Sequence, residues 1–241
     1  MTRKNSRRNA LILAATALSA TILLFSASGQ TQAKSSDDKR FETACKHLKG
    51  KRYRAARKHL HDLADSGHAK AQTVLGMLYE NGVGGVEKDA EKAYDYYKKA
   101  ADQELPEAQS QLGHFLLKTG ITVRKDSDEA VTWLRKAAQH GVVEAQSTLG
   151  QVLVEAKNMP VSHSEGVWWL KEAAARGSDQ AKEALKKLPG ADKVGAGAQQ
   201  VQAHFQGAGS QYQTGMENIE RSWKGYADIV NTVNQAAAYH P

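Results

Sequence analysis

Nine histidines and one cysteine are the side chains of this 241-residue chain best suited to metal binding or nucleophilic chemistry. Their spacing supports neither. His59 and His61 stand two apart, which on a helix points them away from each other. A zincin site needs two histidines on one helix face with a glutamate between them, and no His-Glu-x-x-His occurs. There is no Gly-x-Ser-x-Gly turn to present a nucleophilic serine, and Cys45 has no second cysteine to pair with. Gly82-Val83-Gly84-Gly85 is rich in glycine but lacks the Lys-Ser or Lys-Thr that follows a phosphate-binding loop. No catalytic residue, metal ligand or cofactor site is therefore assigned, and Cys45 is expected to be a small buried apolar side chain. A hydrolase built from the scattered histidines is the weakest functional reading.

The elements that would position any site repeat along the chain. Ala71-Gln72-Thr73-Val74-Leu75-Gly76 recurs as Ala108-Gln109-Ser110-Gln111-Leu112-Gly113 and as Ala145-Gln146-Ser147-Thr148-Leu149-Gly150, each 37 residues on. A second block follows each copy: Tyr96 to Ala101, Trp133 to Ala138, and Trp169 to Ala174, the last one residue early. That shift places a deletion near Lys157 to Val161. Apolar residues in each block have helical spacing, so each repeat predicts a helix–turn–helix. Asp89, Asp126 and Ser162 are expected N-caps of the second helices, the latter two in capping boxes with Glu129 and Glu165. Gly141 and Gly177 stand where a left-handed residue ends a helix, while Glu104 holds the equivalent place in the other copy, with Pro106 offered as the stop instead. Gly76, Gly113 and Gly150 fall inside first helices, where close helix–helix approach would explain them. Ala56, Leu60, Ala64 and Gly67 align one period earlier as a divergent copy, with Phe41 to Leu48 as its first helix and Lys49-Gly50-Lys51 as its turn.

These blocks resemble the Sel-one-like repeat family, relatives of tetratricopeptide repeats. Leu75 to Val86 carries the Leu-Gly and Tyr-x-x-Gly-x-Gly-Val signature with one inserted glycine, while the next turn keeps Gly120 and Val123 and the third, Ala156 to Val161, has lost the pattern. The resemblance covers about Phe41 to Leu188. It implies an all-α fold: a right-handed αα-hairpin solenoid of about four helix pairs over residues 38–188, followed by a helical tail. It implies a scaffold for protein complexes and brings no catalytic residue with it; exported bacterial members are associated with envelope assembly, polysaccharide secretion and host interaction.

In such a solenoid the first helices line the inner surface. Opposite their leucine face lie Thr73, Met77 and Glu80, with equivalents Ser110, His114 and Leu117, then Ser147, Gln151 and Val154. This mixed, mildly apolar stripe is expected to be an open groove for a peptide or partner helix. Trp168 replaces the polar Asp95 and Thr132 of the other copies, so it is expected either exposed as a contact residue or covered by the tail.

Residues 1–33 read as a cleaved signal peptide: basic Met1 to Asn9, apolar Ala10 to Phe25, and a small-residue segment ending Thr31-Gln32-Ala33. The apolar run is short of the ~20 residues of a membrane span. The protein is expected to be periplasmic or secreted, with no span after cleavage. The formal charge of +7 includes four bases in this segment, leaving 29 basic against 26 acidic residues. So small an excess gives no case for nucleic acid, and the basic stretch Lys46 to Lys58 reads as a solvated face.

Residues 189–213 are rich in Gly, Ala and Gln and read as a linker. Residues 214–237 read as an amphipathic helix with the seam Met216, Ile219, Trp223, Tyr226, Val230, Val233 and Ala237. It is expected to fold back on the open solenoid end around Ala181, Ala184, Leu185 and Leu188, to pair with a second chain as a homodimer, or to stay disordered until an outside partner binds it. The functional expectation is a non-enzymatic interaction scaffold of the bacterial envelope that binds a protein or peptide. The alternative is an accessory or inhibitor of an envelope enzyme.

Overall fold

The structure, a computed structural model, describes residues 36–119, 126–155, 160–188 and 226–238. These form helices α1 (36–49), α2 (Tyr53–Asp65), α3 (Ala69–Asn81), α4 (Ala90–Ala101), α5 (Pro106–Thr119), α6 (Asp126–Gln139), α7 (Val143–Glu155), α8 (Pro160–Ala175), α9 (Asp179–Lys187) and α10 (Tyr226–Ala238), with no strand among the described residues. From α2 to α9 each helix packs on its chain neighbours, most extensively within the pairs α3–α4, α5–α6 and α7–α8. Stacking of these αα-hairpins makes the molecule an all-α solenoid. The turn at Gly50 and Lys51 joins α1 to α2, and the stacked rings of His47 and His59, 5.7 Å apart, bring the two together as a divergent first pair.

The repeated glycines are contact points. A Cβ at Gly76 would lie 2.7 Å from the Tyr97 ring, one at Gly113 2.6 Å from Leu134 Cγ, and one at Gly150 2.7 Å from Leu170 Cγ. Tyr97, Leu134 and Leu170 are fully buried and occupy the same register position in successive second helices. Bare glycine lets each drop onto the first helix. The pair α7–α8 approaches more closely still, because a Cβ at Gly166 would meet the Gly150 oxygen at 2.7 Å.

Hairpins are joined to one another by a left-handed corner. Gly67, Gly141 and Gly177 have φ of 87°, 88° and 96°, and Glu104 takes the same place at φ 60°. At each glycine the next residue's amide donates to a carbonyl near the end of the preceding helix: His68 to Leu63, Val142 to Ala137, Ser178 to Ala173. The repeated glutamine then closes the corner. Gln72, Gln109 and Gln146 donate through Nε2 to the oxygens of Ala64, Ala101 and Ala138, at 3.1, 3.5 and 3.1 Å. All three glutamines are buried, and each adds a second donor to a helix-end carbonyl that already accepts from a corner amide, Gly67 to Ala64, Glu104 to Ala101 and Gly141 to Ala138.

Helix starts are partly as expected. Asp89 caps α4, accepting from the Lys92 amide at 3.0 Å. Helix α8 begins at Pro160, so Ser162 lies inside it rather than at its cap. The glutamates of the expected capping boxes bind other side chains. Glu129 accepts from Trp133 Nε1 at 3.2 Å, and Glu165 accepts from Trp169 Nε1 at 3.3 Å and from Arg135 Nε at 3.0 Å. The Arg135–Glu165 pair is bidentate and ties α6 to α8 across two repeats. The side chains of Asp126 and Ser162 lie outside the described residues, as do the turns at 120–125 and 156–159.

The core divides into three clusters along the solenoid. The first runs from Phe41 to Trp133 and also takes in Ile229 and Val233 of α10. The second is built on Leu134, Leu149, Leu153 and Trp169, the third on Leu170, Ala173 and Ala181. Among the described residues no helix is long and apolar enough to cross a membrane.

Candidate functional site

The inner stripe is mostly closed, against expectation. Thr73, Met77, Ser110 and Ser147 are buried, at most 3% exposed. Glu80, His114, Gln151 and Val154 are half-buried, and Leu117 is the exposed member at 37%. The polar members reach forward to the next repeat. Glu80 accepts from Lys118 Nζ at 2.8 Å and from the Tyr97 hydroxyl at 2.8 Å. His114 Nε2 meets the Thr148 hydroxyl at 2.8 Å, and its Nδ1 lies 2.8 Å from the Ser110 carbonyl. A carbonyl only accepts, so Nδ1 carries the proton and Nε2 accepts from Thr148. Ser178 donates to Ser147 at 3.4 Å, and Gln180 to Gln151 at 3.1 Å. Val154 packs tightly against Gly166 and the third cluster.

The physical reason is the number of neighbours a first helix has. A two-layer helix buries one stripe; a first helix of a solenoid meets its hairpin partner and the repeats on both sides. In α3 every residue from Ala71 to Leu78 is buried. The stripe chosen for facing away from the leucines is therefore largely the seam on which successive first helices stack.

Trp168 is half-buried rather than exposed. Its ring stands edge-on to Trp169 at 4.4 Å and packs on the second cluster. The described part of the tail lies on α3 and not against this cluster. Of the other repeat aromatics, Trp133 and Trp169 are buried, while Tyr79 and Tyr96 are half-buried and stacked on each other at 5.7 Å.

The tail helix also sits elsewhere than expected. α10 packs on α3, in the first full repeat, and not on α9, which carries Ala181, Ala184 and Leu185. Ala181 is buried in the third cluster, and Ala184, Leu185 and Leu188 are half-buried against it. The seam is rotated too. Ile229 (4% exposed) and Val233 (1%) are its buried pair, with Val230, Ala236 and Ala237 half-buried beside them. Met77, from the inner stripe of α3, belongs to the same cluster. Met216, Ile219, Trp223 and the linker 189–213 lie outside the described residues.

Burial displaces five ionisable groups among the described residues, Cys45, His68, Tyr94, Tyr96 and Glu107. The Glu107 carboxyl, at the register position of Lys70, is pushed up to about 7. Its two oxygens are buried without a hydrogen-bond partner. Cys45 is pushed up to about 12, which leaves it a protonated, unreactive thiol. Burial holds His68 below its usual value, against the pull of Asp38. His68 Nδ1 accepts from the Ala71 amide at 3.2 Å as the N-cap of α3, so Nε2 is the nitrogen that faces Asp38 at 3.4 Å. A cavity of about 470 Å³ opens beside this cap, lined by Asp37, Asp38, Lys70, Gln103 and Glu104. Among the described residues no group of three or more His, Cys, Asp or Glu is placed to hold a metal.

Stacked αα-hairpins, corner glutamines in register and a polar seam between first helices define a helical-repeat solenoid. Residues 69–105, 106–142 and 143–178 each match the Sel1 repeat, so the chain carries three Sel1 repeats. The solved Sel1 repeat protein of Oxalobacter formigenes is 31% identical over 54% of this chain and 53% of its own, with a TM-score of 0.48. A protective antigen of uropathogenic Escherichia coli with an SLR fold is 25% identical over 76% of this chain, with a TM-score of 0.53. An immunity protein of Pseudomonas aeruginosa aligns over 86% of this chain and 88% of its own at 18% identity, with a TM-score of 0.37. The chain spans about half the length of the first of these and 40% of the second. No curated protein matches. Sel1 repeats are generally protein-interaction scaffolds without catalysis of their own.

Proposed function

We propose that this chain is a non-enzymatic protein–protein interaction scaffold of the bacterial cell envelope, binding a protein or peptide through the inner face of its solenoid. The observation that carries the reading is α10: a short amphipathic helix lies against α3 and buries Ile229 and Val233 in the solenoid's own core. A face that holds one helix has the shape and apolarity to hold another. The binding surface is drawn more narrowly than the sequence stripe. Leu117, Gln151 and Val154, with Glu80 and His114, keep part of their surface open, whereas Thr73, Ser110 and Ser147 shape the seam from within. The envelope location rests on the three-part pattern of residues 1–33.

The test is capture of partners from an envelope extract by the full-length chain and by a Leu117→Glu/Gln151→Glu variant. Helicity should be unchanged, because neither side chain is in the core, and capture of specific partners should fall. Equal capture by the folded variant rules out the inner face. Intact-mass measurement of the exported protein checks the location, with loss of residues 1–33 expected and retention in the membrane fraction contradicting it.

A further inference from the structure

Helix α10 has only 13 residues, and a helix of that length is marginal in water by itself. It is helical here with Ile229 and Val233 turned into the first cluster and Val230, Ala236 and Ala237 along its edges. Among the described residues its main packing partner is α3, a helix already enclosed by α2, α4 and α5. Its sequence, YADIVNTVNQAAA, carries a single charged residue, Asp228. The buried pair is one helical turn apart, followed by a stretch of alanines. No repeat register assigns this helix a place: it follows the last hairpin in sequence and packs on α3 of the first full repeat.

We propose that the face of α3 covered by α10 is the docking site for a weakly charged amphipathic helix of a partner protein, and that α10 occupies it intramolecularly until such a helix displaces it. This rests on the interaction-scaffold reading and adds the partner's chemistry and the gate. The partner helix presents two aliphatic side chains four residues apart, as Ile229 and Val233 do, flanked by small residues where Ala236 and Ala237 run close to the solenoid. A strongly charged helix is excluded, because the occupant that fits has almost no charge. The gate follows from the covalent tether. A segment of the same chain meets its site at high effective concentration, so an outside helix of equal intrinsic affinity binds only weakly until the tethered one is released.

The experiment uses a labelled peptide of residues 222–241 as the probe, with binding read by fluorescence anisotropy. The wild-type full-length chain is compared with an Ile229→Asp/Val233→Asp variant whose own helix cannot seat. The peptide should bind the variant about tenfold or more tightly than the wild type, and Val233→Ala should fall between them. An unlabelled peptide carrying Asp at both positions should fail to compete. Equal affinity for wild type and variant, or no binding to a variant of unchanged solenoid helicity, overturns the proposal. A wild-type chain that sediments as a dimer, and as a monomer once both positions are Asp, overturns the intramolecular gate by showing that a second copy supplies the helix. Failure here is separable from failure of the scaffold reading. That reading stands or falls on partner capture through the inner face, which requires no binding of this peptide.

Discussion

In the first full repeat Gly76 of α3 meets the ring of Tyr97, whereas in the third Gly150 of α7 meets both Leu170 and the backbone oxygen of Gly166. The two repeats share a period and a register yet fill the space between their helices with different atoms. In the first, a large aromatic lies over a glycine and sends its hydroxyl to Glu80. In the third, two glycines oppose each other and the bulk moves outward to Trp169, which is fully buried, and Trp168 beside it. The first repeat also takes its turn geometry from outside. Arg57 of α2 donates to the carbonyls of Gly84 and Gly85, holding the turn against the preceding hairpin. The third is tied through its second helix instead, by the Arg135–Glu165 clamp. Equal repeats in sequence are thus unequal in where their stability resides, and substitutions at equivalent positions should show it.

The largest effects should come from the buried aromatics. Trp169→Ala should cost about 3–5 kcal/mol, the range for deleting a buried large aromatic. Tyr97→Ala should cost as much or more, since it also leaves Glu80 without its 2.8 Å hydroxyl donor. Urea unfolding of both variants checks this, and a loss under ~1 kcal/mol at Trp169 would remove it from the core of the third repeat.

Glycine substitutions sharpen the contrast. Gly166→Ala forces a Cβ to 2.7 Å from a backbone oxygen and 2.9 Å from the Val154 amide nitrogen. It should destabilise by about 1–3 kcal/mol despite the better helix propensity of alanine. Gly76→Ala meets the face of a side chain, which can tilt, and should cost less. Equal midpoints for the two variants would mean that α7 and α8 separate as easily as a ring rotates.

Glu107 gives a pH test of the middle of the solenoid. Its carboxyl titrates near 7 in the folded chain, above the unfolded value of about 4.3. The folded state therefore holds the proton more tightly. This contribution to stability is fully present below pH ~4.3 and is lost as pH rises through 7. Glu107→Gln should remove that slope and stabilise the chain at pH 8 by on the order of 2 kcal/mol. An unchanged difference in stability between pH 5 and pH 8 would show that solvent reaches the carboxylate.

The smallest effect concerns one missing donor. Gln103 donates to Gln72 Oε1 at 2.7 Å, and Arg176 donates to Gln146 Oε1 at 3.3 Å and to the Gly141 oxygen at 2.6 Å. His140 stands at the same register position, yet Gln109 Oε1 is buried with no partner. His140→Arg should bring a guanidinium to Gln109 and the Glu104 carbonyl, as Arg176 does one repeat later. It should stabilise by about 0.5–1.5 kcal/mol. No gain in thermal midpoint would show that the corner already admits water.

The sequence by itself determined the period, the helix pairs, the glycine contacts and the left-handed corners at Gly141 and Gly177, whereas at Glu104 it offered Pro106 as the stop and only the structure showed a left-handed residue at φ 60°. It did so because each depends on local chemistry repeated in register: apolar spacing sets a helix, and a residue that must end one leaves its mark. The corner role of Gln72, Gln109 and Gln146 was also written in that register, since one polar residue recurs in an otherwise apolar block and its partner carbonyl lies eight residues back. The open or closed state of the inner stripe could not be read the same way. A helix's own periodicity shows which residues are apolar, not how many helices surround it, and small polar residues such as Thr73, Ser110 and Ser147 suit a surface and a tight seam equally. Nor could the sequence place α10. Its apolar edge declared that some surface would cover it, but the choice between Ala181 at the last hairpin and α3 in the first full repeat depends on which helices stack beside it, a tertiary fact that its own periodicity does not carry.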